Sequence, residues 1–273
     1  MLAMSEDSSV ALVTGASRGI GLAISKRLSE AGVSVVAVAR TASQSDDLKS
    51  INGVLPISLD VTDADAVAGV VSRVESELGP IDLLVNNAGV AGIGGPTWMH
   101  DPKEWWNVFE VNVLGTFQCC RSVVPAMVSR GRGRVINVSS NAGFFKIDDG
   151  FDIDINSAYM TSKAALIRFS EVLAEEVRST GVSVFAISPG TVKTEMSAIP
   201  FAHHWDDPDL WSPPELAAEL VEFIATGSLD GLSGRYIHAV NDDWRTLGKR
   251  VEEIVDHDLK VLRMTSLPIP EGQ

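Results

Sequence analysis

Seven apolar, β-branched runs alternate with amphipathic stretches along nearly the whole chain, and this alternation leaves few folds open. The runs lie at 10–14 ("VALVT"), 33–39, 54–59, 81–86, 134–140, 182–188 and 235–239. Their hydrophobicity is continuous, as in strands covered on both faces of a parallel sheet. Between them, periodic segments at about 19–31, 63–78, 101–130, 157–180 and 213–226 predict helices. Repeated strand–helix alternation implies right-handed crossovers and an α/β, Rossmann-type doubly wound fold. The expected core is a seven-stranded, mostly parallel sheet with helices on both faces. Two helix starts are explicit. Asp101, Pro102 and Glu104 read as cap, first-turn proline and capping-box carboxylate, and Ser212, Pro213 and Glu215 repeat the pattern.

No low-complexity linker divides the 273 residues, so a single domain over 1–273 is expected, with its core at 8–241. Two stretches interrupt the rhythm. An acidic insertion at 146–156 carries Asp148, Asp149, Asp152 and Asp154. It reads as a solvated loop or, if it overhangs a site, as a bias against anionic substrates. Residues 195–211 read as a substrate lid with Trp205 and Trp211 as apolar contacts. His203, His204, Asp206 and Asp207 in that lid lack a closed ligand geometry, so no metal is expected. Beyond residue 241, Trp244, Leu247, Val251, Ile254, Val255, Leu259 and Leu262 recur at spacings of three and four. That pattern predicts an amphipathic helical extension over 242–273, packed on its own domain or across a subunit boundary.

A formal charge of -14 argues against nucleic acid and anionic membranes as partners, because both need a basic footprint. No apolar run approaches the roughly 20 residues that span a bilayer. The acidic start "MLAMSEDSS" does not read as a secretory leader. Cys119 and Cys120 are adjacent, with neither metal-ligand spacing nor a disulfide framework, which fits a reducing, cytoplasmic location.

Chemistry concentrates at a few points. Gly15, Gly19 and Gly21, spaced GxxxGxG, sit between the first strand and the first helix. There, glycines allow a tight turn and let backbone amides approach a pyrophosphate at a helix N-terminus. The second strand ends in Ala39 and Arg40, without the carboxylate that would meet a free ribose hydroxyl. Arg40 and Arg18 suit a 2′-phosphate instead, so the expected cofactor is NADP(H) rather than NAD(H). Tyr159 precedes Lys163 by four positions, one helical turn. A tyrosine with an ordinary pKa of about 10 is a poor acid at neutral pH, and a neighbouring cation favours its phenolate.

The ordered motifs "TGASRGIG" (14–21), "LDV" (59–61), "NNAG" (86–89), "VNVLG" (111–115), "NVSS" (137–140), "YMTSK" (159–163) and "SPGTVKTEM" (188–196) resemble those of the short-chain dehydrogenase/reductase family, over about residues 10 to 240. The resemblance implies a Rossmann fold, NAD(P) binding and hydride transfer between a nicotinamide and an alcohol or carbonyl. By matching positions, it implies a cofactor site of Gly15, Ser17, Arg18, Gly19, Ile20, Gly21, Arg40, Asp60, Val61, Asn87, Ala88, Gly89, Pro189, Gly190, Val192 and Thr194, joined by Tyr159 and Lys163. Asp60 and Val61 would line the adenine pocket, Asn87 the adenosine ribose, and Val192 and Thr194 the nicotinamide and nearby phosphates. The same mapping makes Tyr159 the general acid/base, Lys163 its activator and Ser140 the donor that holds the substrate oxygen. Ser140 is preferred to Ser139 because it stands just before the "NAG" turn. Asn112 would bind a water that links Lys163 to solvent. Relatives also suggest a homodimer or homotetramer acting on a small carbonyl or alcohol. Alternatives are a 3-oxoacyl-thioester reductase of the same family and a non-catalytic NADP-binding regulator.

Overall fold

The computed structural model describes residues 9–145, 156–198 and 201–264. Seven parallel strands form one sheet in the order β3-β2-β1-β4-β5-β6-β7. They are β1 (Val10–Thr14), β2 (Ser34–Ala39), β3 (Val54–Ser58), β4 (Ile81–Asn86), β5 (Gly133–Val138), β6 (Val182–Ser188) and β7 (Tyr236–His238). All seven coincide with the apolar runs, though β5 stops at Val138 and leaves Ser139 and Ser140 beyond its end.

Successive side chains on a strand point to opposite faces, and the core divides accordingly. Ala11 and Val13 of β1 join one cluster with α1 (Gly19–Glu30) and α7 (Pro214–Ala225). Val10 and Leu12 join the other, with α3 (Ala64–Glu77), α5 (Gly115–Arg130) and α6 (Ser157–Glu176). A small helix, α2 (Asp46–Lys49), follows β2; it is too short for periodicity to reveal. Pro56 sits in edge strand β3, where a missing ladder donor is tolerated. Among the described residues, no helix is long and apolar enough to cross a membrane.

Three expectations need correction. The helix expected over 101–130 comprises α4 (Pro102–Phe109), a π-helical turn (Glu110–Leu114) and α5. Asp101 does cap α4, accepting from the amides of Lys103 and Glu104. Ser212 caps nothing: α7 begins at Pro214 with Pro213 at the cap position, because the Ser212 amide bonds back to the Thr191 carbonyl and ties this stretch to the site loop.

The C-terminal extension is not one helix. It forms α8 (Trp244–Leu247), a 3₁₀ turn (Gly248–Arg250) and α9 (Val251–Asp256). Asp258 and Lys260 then take positive φ, 48° and 61°, and turn the chain back toward the sheet. The turn lets the Lys260 carbonyl accept from the Tyr236 amide on the outer edge of β7. Arg263 reaches Glu171 on α6, and Leu262 packs beside Ile167, Ala186 and Tyr236. These tertiary bonds outweigh the local helical pattern. Trp244, Leu247 and Ile254 are buried as that pattern predicts, whereas Val255 and Leu259 are exposed.

Candidate active site

The strand order reverses between β1 and β4, and in such sheets the crevice beyond the strand ends receives the ligand. Two clefts meet there. The outer one is lined by the glycine loop, the ends of β2 and β3 and the start of the β4 loop. The inner one is lined by residues after β5, the start of α6 and the segment after β6. Ile20, Thr194 and Met196 belong to both.

In the outer cleft, Gly15 has φ 63°, and a Cβ there would lie 2.7 Å from the Cα of Ala88, so a side chain would force β1 and β4 apart. Thr14 Oγ1 accepts from the Asn87 and Ala88 amides, at 3.0 and 2.9 Å. The Asn87 side chain donates to the Thr14 and Gly15 carbonyls, at 3.0 and 3.1 Å. Asn87 therefore braces the glycine loop as well as lining the cleft. Arg18 occupies the cap position of α1 and offers no side-chain cap, so the first-turn amides lack a side-chain acceptor from it. Ser17, Gly19, Arg40, Asp60, Val61 and Gly89 line the same cleft. The Thr62 amide and hydroxyl hold the Asp60 carboxyl below its usual range, with a smaller contribution from Arg40. The Arg18 guanidinium pairs with Glu195 at 3.0 Å, both side chains being well exposed.

The inner cleft brings together Ser140, Tyr159, Pro189, Gly190 and Val192. After β5 the chain makes a 3₁₀ turn, Asn141–Gly143, which docks on α6. A Cβ at Gly143 would lie 2.7 Å from the Ala164 amide nitrogen, so glycine permits this approach. The Ser140 hydroxyl accepts from the Ala142 amide and hydrogen-bonds with Tyr159. Ser139 turns inward and donates to the Lys163 carbonyl at 2.8 Å. Of the two serines, Ser140 faces the tyrosine. Asn156 caps α6 through the Tyr159 amide, and its Nδ2 donates to the Ala91 carbonyl at 2.6 Å. That cap fixes the first turn of α6, which carries Tyr159. Sequence reasoning passed over it, although an Asn just before a helical run signals an N-cap.

Lys163 is buried, with Nζ 5.5 Å from the centre of the Tyr159 ring and donating to the Val138 carbonyl at 2.9 Å. Burial pushes its pKa down to about 8. For Tyr159, burial pushes the phenol up, and the hydrogen bond with Ser140 only partly opposes it. Desolvation is therefore the dominant influence on the phenol. Asn112 sits in the π turn with no solvent exposure. Its Oδ1 accepts from the Val90 amide, and its Nδ2 donates to the Val90 carbonyl and Ser162 Oγ. Its side chain thus clamps the β4 loop to α6.

The segment after β6 puts Met196, Ser197 and Phe201 on the inner cleft. Trp205 and Trp211, expected as substrate contacts, instead pack on each other with ring centres 5.1 Å apart. They also sandwich Lys193, whose ammonium lies 4.5 and 5.6 Å from their rings and donates to the Trp205 carbonyl. Among the described residues, no three His, Cys, Asp or Glu side chains are disposed to hold a metal. The acidic insertion's Asp148, Asp149, Asp152 and Asp154 lie outside the described residues.

A parallel sheet with a glycine loop at its switch point, beside a cleft lined by Ser140 and Tyr159 with Lys163 next to the tyrosine, points to a dinucleotide-binding oxidoreductase class. Residues 9–203 match the short chain dehydrogenase family model, and the chain belongs to that family. It is 41% identical over 196 residues to a short chain dehydrogenase of Pseudocercospora fijiensis, covering 69% of this chain and 61% of that one. It is 36% identical to the 3-oxoacyl-acyl-carrier-protein reductase of Escherichia coli, over 71% of this chain and 78% of the other. Among solved structures, an actinorhodin polyketide ketoreductase variant with NADPH superposes with a TM-score of 0.76 at 29% identity, covering 86% and 97% of the two chains.

Proposed function

We propose that the protein is an NADP(H)-dependent oxidoreductase that interconverts ketones and secondary alcohols, with Tyr159 as general acid/base. The meeting of Ser140 and Tyr159 on the inner cleft, with Lys163 beside the tyrosine ring, carries this reading. The outer cleft fits a dinucleotide. The uncapped N-terminus of α1 suits a pyrophosphate, and Arg40 with Arg18 suits a 2′-phosphate. When bound, the nicotinamide supplies the hydride in the reducing direction.

The chain's own residues then manage the oxygen. Ser140 Oγ donates to the carbonyl oxygen as negative charge builds there, and Tyr159 gives it the phenolic proton. Lys163 is still mostly protonated at neutral pH, and its positive charge stabilises the phenolate left behind. With one N–H on Val138, its other two are available to a ribose. Asn112 keeps the β4 loop and α6 at a fixed separation and acts as a positioning residue.

The reading includes a reducing, cytoplasmic setting, supported by the free thiols of Cys119 and Cys120. It also includes self-association. Phe117 and Val128, eleven positions apart on α5, are both exposed and lie on one helical face. The likeness to the Escherichia coli reductase keeps 3-oxoacyl thioesters as a second reading. Tyr159→Phe tests the mechanism: NADPH consumption with a ketone panel should fall at least about a thousandfold, with the Kd for NADPH within about threefold of wild type. Turnover within tenfold of wild type would refute the role of Tyr159.

A further inference from the structure

The inner and outer clefts differ in charge. The outer is lined by Arg18, Arg40, Asp60, Glu110, Lys193 and Glu195. Among the described residues, the inner is lined by no charged side chain. Beyond the Ser140–Tyr159 pair its walls carry four large, soft apolar groups: Phe145 after the 3₁₀ turn, Met160 on α6, and Met196 and Phe201 after β6. None of the four belongs to a hydrophobic core of the fold. Each retains exposed surface, and Met196 is 38% exposed. Folding has left apolar area facing a cleft instead of burying it, which is the mark of a surface kept for a ligand.

The nearby polar side chains are largely committed to the protein. Asn156 holds Tyr159 N and Ala91 O, Ser139 holds Lys163 O, and the Ser197 hydroxyl holds the Val192 and Thr194 carbonyls. Apart from Lys163 behind the tyrosine, the adjoining cations belong to the outer cleft, where Lys193 is held by the Trp205 carbonyl and two indole faces and Arg18 forms an exposed pair with Glu195. An anionic group brought against the walls beyond Ser140 and Tyr159 would lose hydration without meeting a charged side chain of the lining. Aromatic rings offer flat contact area, and methionines adapt to irregular shapes.

We infer that the inner cleft selects bulky, uncharged, mostly apolar ketones, fused-ring or aryl, over anionic acyl thioesters. Phe145, Met160 and Phe201 are the specificity-determining side chains. The inference rests on the oxidoreductase reading and narrows it to a substrate class.

The test compares kcat/KM of the full chain with NADPH on three probes: 1-tetralone, butanone and acetoacetyl-CoA. The bicyclic ketone should exceed each of the others by about a hundredfold, the worth of burying one extra ring. Phe201→Ala and Met160→Ala should each lower the tetralone-to-butanone ratio about tenfold or more. Phe201→Leu replaces the alanine variant if that one does not fold. Acetoacetyl-CoA matching or exceeding tetralone, or a ratio unmoved in both variants, overturns the inference. If no probe consumes NADPH, the oxidoreductase reading fails and binding decides the cleft. Quenching of NADPH fluorescence by tetralone, with Kd raised about tenfold by Phe201→Ala, then supports the selectivity. No quenching, or an equal Kd, overturns it.

Discussion

Lys163 carries its ammonium into a buried position whose hydrogen-bond partner is the Val138 carbonyl. Desolvation lowers its folded pKa to about 8, from 10.5 for an unperturbed lysine. The unfolded chain therefore binds more protons across that interval, and this group makes stability rise with pH from about 8 toward 10.5. Tyr159 acts the other way only above its ordinary value of 10.0, since burial raises its folded pKa. Between pH 8 and 10, the unfolding free energy of wild type from urea titrations should climb relative to that of Lys163→Met, by up to about 1.4 kcal/mol per pH unit at the steepest. Parallel curves would show that the ammonium is not desolvated. At this scale, Tyr159, Lys163 and the glycine loop were readable because their chemistry depends on local spacing. Phe145, Met160 and Phe201 were not. Their use depends on segments converging from three separate parts of the chain, which no period encodes.

At the scale of elements, the strands were the most legible feature, since a parallel strand buried on both faces has little freedom of composition. The C-terminal extension shows where periodicity misleads. Its apolar spacing fits the residues that reach the core, Trp244, Leu247 and Ile254, but the helix breaks to meet the edge of β7. Trp244 is 3% exposed, stacks at a tilt on Phe223 with ring centres 5.3 Å apart, and donates to the Ala239 carbonyl. Trp244→Ala should cost about 3–5 kcal/mol in denaturant unfolding, the usual range for a large buried aromatic. A loss below 1 kcal/mol would mean that α8 does not hold the sheet's end. Arg263, bound to both Asp258 and Glu171, ties the same strap to the helix that carries Tyr159. No local pattern announces that link, because its partners are 92 positions apart.

In the molecule as a whole, the sheet order brings the glycine loop, the end of β5 and the start of α6 to one crevice, and the fold class was enough to foresee that meeting. The π turn at Glu110–Leu114 was beyond foresight, since its sequence reads as ordinary helix. A π turn holds one residue more than an α turn, and here the surplus aims Asn112 at Val90 while α4 and α5 keep their own faces. In most helices a one-residue deletion swings everything on one side by about 100°. Here the extra residue is already absorbed, so removing Val113 would splice α4 and α5 into a regular helix with both faces preserved. Deletion of Val113 should leave the melting temperature within about 5 °C of wild type and abolish NADPH consumption. A deletion variant that melts intact but stays inactive would make this turn a separable part: an insertion kept for the site, which the architecture can spare.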